Sequence, residues 1–212
     1  GDAATIVYLA GQACITLHPW LSHVDRLDRP DRLVIDLDPS QHQPAEVRRA
    51  ARIFGALLRE LELDPWVMTT GSRGYHVVVP LQRRLDFDSV REFARDLASL
   101  AAAREPKLFT NEQRKANREG KILIDILRNA YGHTSVGPYA VRARPNASVA
   151  TPLHWEELDD RSTRADRWTL KSVPDRLQRD GDPWRRIGRH AQTLSAARKR
   201  LGAALVDAGV GE

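Results

Sequence analysis

The spacing of apolar and polar residues divides the chain into short strands interleaved with helices. Residues 32–39 (Arg-Leu-Val-Ile-Asp-Leu-Asp-Pro) and 121–128 (Lys-Ile-Leu-Ile-Asp-Ile-Leu-Arg) are apolar runs interrupted only by acids, and both read as strands. Between positions 45 and 61, Val47, Ile53, Phe54, Leu57, Leu58 and Leu61 recur at helical spacing, with Pro44 near the start. Residues 66–70 and 75–81 are β-rich runs separated by Gly71-Ser-Arg-Gly74, a tight connection between two strands. Asp88 is placed to cap a second helix carrying Val90, Phe93, Leu97 and Leu100 on one face.

The remaining pattern is less regular. Residues 5–19 are apolar enough to be buried, with 12–18 alternating as a strand does, and 25–31 read as a polar turn segment. Residues 107–120 are polar and form a mobile basic loop or short helix. Residues 139–145 predict a strand with Tyr139, Val141 and Ala143 on one face and Arg142 and Arg144 on the other. A short helix starts in 152–158, and a helical segment runs from about 187 to 206. Trp168, Trp184 and that last segment are expected to pack back on the core. Together these predict an α/β chain of the α+β type, with a mixed or antiparallel central sheet flanked by helices.

A chain of 212 residues with 42% hydrophobic content can bury one good core, so one domain, or one domain plus a tail, is expected. Cys14 is the only cysteine, which excludes a disulfide framework and a thiolate zinc site and fits a reducing interior. No apolar run approaches the roughly 18 residues that span a bilayer, so the expectation is a cytoplasmic protein without membrane contact. The net charge is +5, and lysine occurs only at positions 107, 115, 121, 171 and 199. The rest of the 33 basic residues are arginines, whose planar fork matches phosphate oxygens; the base composition of a gene can produce the same bias.

The acids carry the chemistry. On a strand Asp36 and Asp38 share one face while Leu37 packs on the other. Asp125 lies in a run that otherwise reads as buried, where an unpaired carboxylate would cost several kcal/mol, so something positive must face it. If the two strands are neighbours, three carboxylates converge, and that number of hard oxygen ligands suits a pair of Mg²⁺ or Mn²⁺ ions, as in two-metal phosphoryl transfer. The turn Thr70-Gly-Ser-Arg-Gly-Tyr-His76 offers backbone N–H groups, two hydroxyls, a guanidinium and an imidazole to an anion, with Thr70, Ser72, Arg73 and His76 as donors. It lacks the spacing and the Lys-Ser/Thr of a Walker loop, and it also reads as a bare turn between strands. Arg128, Arg142 and Arg144 suit either substrate phosphate or the acids as counter-ions. Arg114, Lys115, Arg118 and Lys121 form a basic segment suited to a nucleic-acid backbone.

The ordered series Leu17-His-Pro-Trp20, Asp31 to Pro39, Thr70 to His76, Asp125-Ile-Leu-Arg-Asn129 and Pro138 to Pro145, followed by Val149 to Leu153 and Trp155, resembles the polymerase domain of bacterial DNA ligase D. Those domains and their stand-alone relatives belong to the archaeo-eukaryotic primase superfamily. The likeness runs from about Tyr8 to Leu158. It implies a primase-type catalytic core and a template-dependent nucleotidyltransferase that fills gaps or extends ends in double-strand break repair by non-homologous end joining, often with ribonucleotides and Mn²⁺. It implies Asp36, Asp38 and Asp125 as metal-binding acids, and His76 and Thr70 as triphosphate contacts, with Arg73 where lysine is also common. Arg128 and Arg142 then lie near phosphate and metal, and His18 near the sugar. DNA with a gap or break, NTP or dNTP, and repair proteins such as a ligase or an end-binding protein are the implied partners. Residues 1–212 are then a catalytic domain in which 159–212 form a helical extension, and the family's N-terminal region, with its 5′-phosphate contacts and stacking aromatics, is expected to be missing before Gly1. Two rivals use the same residues: a nucleic-acid-binding module without turnover, and a metal-dependent nuclease.

Overall fold

The computed structural model describes residues 2–210. Its elements in chain order are α1 (Ala3–Gly11), β1 (Ser22–His23), β2 (Arg26–Pro30), β3 (Arg32–Pro39), α2 (Pro44–Glu60), β4 (Trp66–Thr69), β5 (Tyr75–Pro80), α3 (Phe87–Arg104), β6 (Phe109–Thr110), β7 (Ile122–Asp125), β8 (Pro152–Leu153), α4 (Val173–Asp180) and α5 (Ser195–Asp207), with short 3₁₀ turns between some of them. Six strands form one mixed sheet in the order β6-β7-β3-β5-β4-β8. The β6–β7 pair is parallel and the other pairs are antiparallel.

Strand parity sorts the two faces of this sheet. Leu33, Ile35 and Leu37 of β3, Tyr75, Val77 and Val79 of β5, and Ile122 and Ile124 of β7 all enter the main core. There they meet Val47, Phe54 and Leu58 of α2 and Val90, Phe93 and Leu97 of α3. The opposite parity gives Val34, Met68 and Val78, which form a smaller apolar cluster with Leu21, Val136 and Trp184. Asp36, Asp38, His76 and Asp125 share that second parity. They stand on the face that no helix of the α2–α3 layer covers.

Several elements differ from the sequence expectation. Residues 3–11 are a helix capped by Asp2, whose carboxylate accepts from the Thr5 N–H at 2.8 Å; none of its residues is buried, and 12–18 hold no strand. The polar 25–31 segment is the second arm of a β1–β2 hairpin rather than a turn. It is exposed along most of its length, so no apolar alternation marks it. The cap of α3 is Asp86, which accepts from the Ser89 N–H at 2.8 Å, and Asp88 falls in the first turn.

Residues 139–145 make only an isolated bridge, Val141 to Val149. Tyr139 has φ +63°, which no strand accommodates, and Pro145 lies in a turn, closed by the Ala147 N–H on the Arg144 carbonyl, that folds the chain back. Pro152 and Leu153 pair with β4 instead of opening a helix, and the turn follows at Trp155–Leu158. Helix α4 has no counterpart in the predicted elements. The expected 187–206 helix is broken at 191–194, where the Gln192 N–H binds the Pro80 carbonyl at 2.9 Å and the segment lies against the end of β5.

In the C-terminal part, Trp168, Val173, Ala197 and Leu201 join the main core and Trp184 joins the smaller one. Gly1, Gly211 and Glu212, the ends of the predicted 1–212 domain and its 159–212 extension, lie outside the described residues. No helix among the described residues is long and apolar enough to cross a membrane.

Candidate functional site

Register builds the site from the sheet. On β3, Asp36 is paired with His76 of β5 on one side and with Asp125 of β7 on the other. Neighbouring strands lie about 4.8 Å apart, so imidazole and two carboxylates form one row across three strands. Asp38 follows two residues on, on the same face. The turn joining β4 to β5 then closes over them. Gly71 takes φ +64° there, and at Gly74 an added Cβ would come within 2.3 Å of the Leu37 carbonyl oxygen, so only glycine lets the turn lie against β3. The Thr70 hydroxyl donates to the Gly74 carbonyl at 3.0 Å and accepts from the Gly74 N–H at 3.3 Å, which fixes the turn's shape.

A pocket of about 210 Å³ opens on this face, lined by His18, Asp36, Asp38, Thr70, Ser72, Arg73, His76, Asp125, Arg128 and Arg142 among others. All the residues that sequence reasoning assigned to acids and nucleotide therefore meet in one cavity. Three like charges on one face require cations, and arginines supply them. Arg128 Nε lies 3.5 Å from Asp36 and its Nη2 3.8 Å from Asp125. Arg73 stands 3.8 Å and Arg118 3.2 Å from the two oxygens of Asp38. His76 Nε2 is 3.5 Å from Asp36, and its Nδ1 faces the Ser135 hydroxyl at 3.4 Å.

Burial alone would raise the Asp36 carboxyl, but His76 and Arg128 beside it hold it below its ordinary value, so it stays ionised. Burial, with Arg142, Arg128 and His76 nearby, depresses His18 and favours its neutral imidazole. Burial and the neighbouring Arg144 lower Arg142 as well.

The expected cation cluster is present in its donors but not in a closed form. Among the described residues no three His, Cys, Asp or Glu side chains are gathered tightly enough to hold one ion as they stand, and Arg128 lies against two of the acids. The donor set still fits a hard divalent ion: Asp36 and Asp125 are opposed in register, Asp36 is held ionised, and the Arg128 side chain beside them is 38% exposed.

The basic segment divides. Arg114 and Lys115 are exposed, and Lys121 is half-buried and paired with Glu119 at 3.6 Å. Arg118 departs from expectation: it is 7% exposed, donates to the Glu112 and Gln113 carbonyls at 3.0 and 2.7 Å, and reaches Asp38. It belongs to the acid site and not to a surface that tracks a backbone.

Sequence reasoning also missed two supports. Ser135, against His76, carries no motif signal. Asn129 does carry one, being the only amide in the Asp125–Asn129 series. Fully buried, it accepts from the Val34 N–H at 2.8 Å and donates to the Val34 carbonyl at 2.7 Å, continuing the β3 ladder where β7 ends. This holds the backbone at Arg128, its neighbour in sequence, alongside β3.

Residues 1–184 match the family described as LigD, primase-polymerase domain. The chain is 37% identical over 202 residues to the multifunctional non-homologous end joining protein LigD of Pseudomonas aeruginosa, covering 94% of this chain and 24% of that protein. It is 31% identical to the bifunctional LigD of Bacillus subtilis, covering 86% of this chain and 30% of that one. It thus spans less than a third of the length of either relative. Among solved structures, the polymerase domain of Mycobacterium tuberculosis ligase D in complex with DNA superposes with a TM-score of 0.80 at 29% identity, covering 90% of this chain and 69% of that one.

Proposed function

Because the chain belongs to the LigD primase-polymerase domain family, we propose that it is a DNA-templated nucleotidyltransferase that adds NTP or dNTP to a primer 3′-hydroxyl, filling gaps or extending ends during non-homologous end joining. The observation that carries this reading is the single row His76–Asp36–Asp125 beside a turn of phosphate donors, all lining one pocket.

Thr70, Ser72, Arg73, His76 and Arg142 would hold the triphosphate, and the neutral His18 would meet the sugar. Asp36, Asp38 and Asp125 would hold two Mn²⁺ or Mg²⁺ ions, which when bound lower the pKa of the attacking 3′-hydroxyl and neutralise charge on the leaving pyrophosphate. Asp125 then serves mostly the attacking side. Arg128 is the residue that must move, exchanging the two acids for phosphate. Exposed Arg114 and Lys115, with Lys121, would follow the template backbone and make binding salt-sensitive. The partners on this reading are broken or gapped DNA, a ligase and an end-binding protein, in the cytoplasm, with no membrane. Residues 159–212 would serve it as a C-terminal extension of the catalytic domain.

Incorporation of NTP and of dNTP on gapped DNA, with and without a downstream 5′-phosphate, tests the proposal. Template-directed addition in Mn²⁺ is expected. DNA binding without incorporation, or shortening of the primer without added nucleotide, would replace it with a binding module or a nuclease.

A further inference from the structure

Two large rings stand in solvent beside the pocket. Trp20 is 42% exposed and Tyr131 is 57% exposed, whereas Trp168 and Trp184 are buried. Trp20 and Tyr131 meet edge to face, with centroids 5.8 Å apart, and Tyr131 rests in the same way on buried Phe87 at 5.6 Å. Rings held on a packed base in this fashion lose little freedom when a third ring joins them.

Their position ties them to the pocket. Trp20 follows the pocket residue His18 by two positions, and Tyr131 follows Arg128 by three. The two segments are clamped together by Ser135 N–H to the Pro19 carbonyl at 3.2 Å, Gly137 N–H to the Leu17 carbonyl at 3.1 Å, and the Trp20–Thr134 bridge. One end of this clamp therefore lines the pocket with His18 and Val136, and the other end presents the rings.

The helix that carries Phe87 also carries a cation. Arg91 shares a helical face with Phe87, one turn of about 5.4 Å further along α3. Among the described residues it makes no side-chain hydrogen bond or ion pair, and its Nε is buried without a partner. Exposed rings and an uncommitted guanidinium one helical turn beyond the ring that supports them match a base and its phosphate better than they match an apolar protein surface.

We propose that Trp20 and Tyr131 form a stacking platform for a base of single-stranded nucleic acid at the mouth of the pocket, with Arg91 taking an adjoining phosphate. This rests on the polymerase reading of that pocket.

The test uses oligonucleotides carrying 2-aminopurine at successive positions, without metal or nucleotide. Binding to the wild-type protein should quench one position. Trp20→Ala and Tyr131→Ala should each weaken binding about tenfold and abolish the quench, while Trp20→Phe and Tyr131→Phe stay within about twofold of wild type because a ring remains. Arg91→Ala should flatten the log–log salt dependence by about 0.7. An abasic residue at the quenched position should weaken the wild type about tenfold and leave the Trp20→Ala/Tyr131→Ala protein unchanged, a comparison that needs no new fold. Alanine variants that bind like wild type, or no quench at any position, would overturn the platform. Primer extension by the wild type separates the two ideas: extension with unaffected alanine variants removes the platform alone, and lost binding in those variants without extension by the wild type removes the polymerase reading and keeps the platform.

Discussion

Two arginine–carboxylate networks in this protein use the same groups and hold them differently. Around the acids of β3 and β7, Arg73, Arg118 and Arg128 stand 3.2 to 3.8 Å from their carboxylates, and Arg73 and Arg128 are partly open to solvent. In the C-terminal part, Arg176 of α4 donates one nitrogen to both oxygens of Glu157 at 2.9 and 2.7 Å, is almost wholly buried, and stacks 5.1 Å from the centre of the Trp168 ring. Tyr139 is tied to Asp182 nearby at 2.5 Å, and burial with that carboxylate pushes its phenol well above the ordinary range. The second network is short and buried, as a structural tie should be, although Arg176 Nη1 is buried there without a hydrogen-bond partner. The first is longer and, at Arg73 and Arg128, open, so those two arginines are placed to be exchanged for other cations or turned toward a substrate, while Arg118 is buried and anchored.

The largest effect that sharpens this contrast is on chemistry. Asp36→Ala should reduce nucleotide incorporation on the order of 10³-fold, corresponding to about 4 kcal/mol of lost transition-state stabilisation. The same variant should unfold in urea near the wild-type midpoint, since the half-open Arg128 it leaves can be hydrated. Arg176→Ala should do the reverse: about 3 kcal/mol of stability lost, measured by urea unfolding, because a partly buried Glu157 loses its partner, with incorporation by the folded fraction unchanged. Gly74→Ala joins the two kinds of effect. Its Cβ has no room against the Leu37 carbonyl, so unfolding should show about 1–3 kcal/mol lost, and incorporation should fall as His76, two residues on, is displaced. Arg104→Ala, which breaks only the surface pair with Glu60, should cost less than about 1 kcal/mol and leave incorporation untouched.

The parts legible in the sequence were those where one physical constraint acts alone. The strand parity of Asp36 and Asp38, and an acid at Asp125 needing a positive neighbour, follow from burial and side-chain alternation, and the register places both acids' strands side by side. Helix α2 starts one residue before its expected bound and ends one residue before it, because its apolar stripe is complete. The exposed hairpin β1–β2 left no stripe to read. Residues 139–145 alternated like a strand, but a positive φ at Tyr139 and the turn at Pro145 decide their path. Arg118 looked like a surface cation because its neighbours Arg114 and Lys115 are; only the fold of 112–118 around its guanidinium turns it inward to Asp38. The platform at Trp20 and Tyr131 needs two segments more than 100 residues apart, which no local pattern reveals.

Electron paramagnetic resonance of Mn²⁺ with the protein alone, free of nucleotide, asks whether the three aspartates and the arginines around them form a divalent-cation site. Titration of the wild-type protein should remove about two ions per chain from the free signal, and Asp36→Ala/Asp38→Ala should remove none. Equal uptake by both proteins, or no uptake by the wild type, would contradict it.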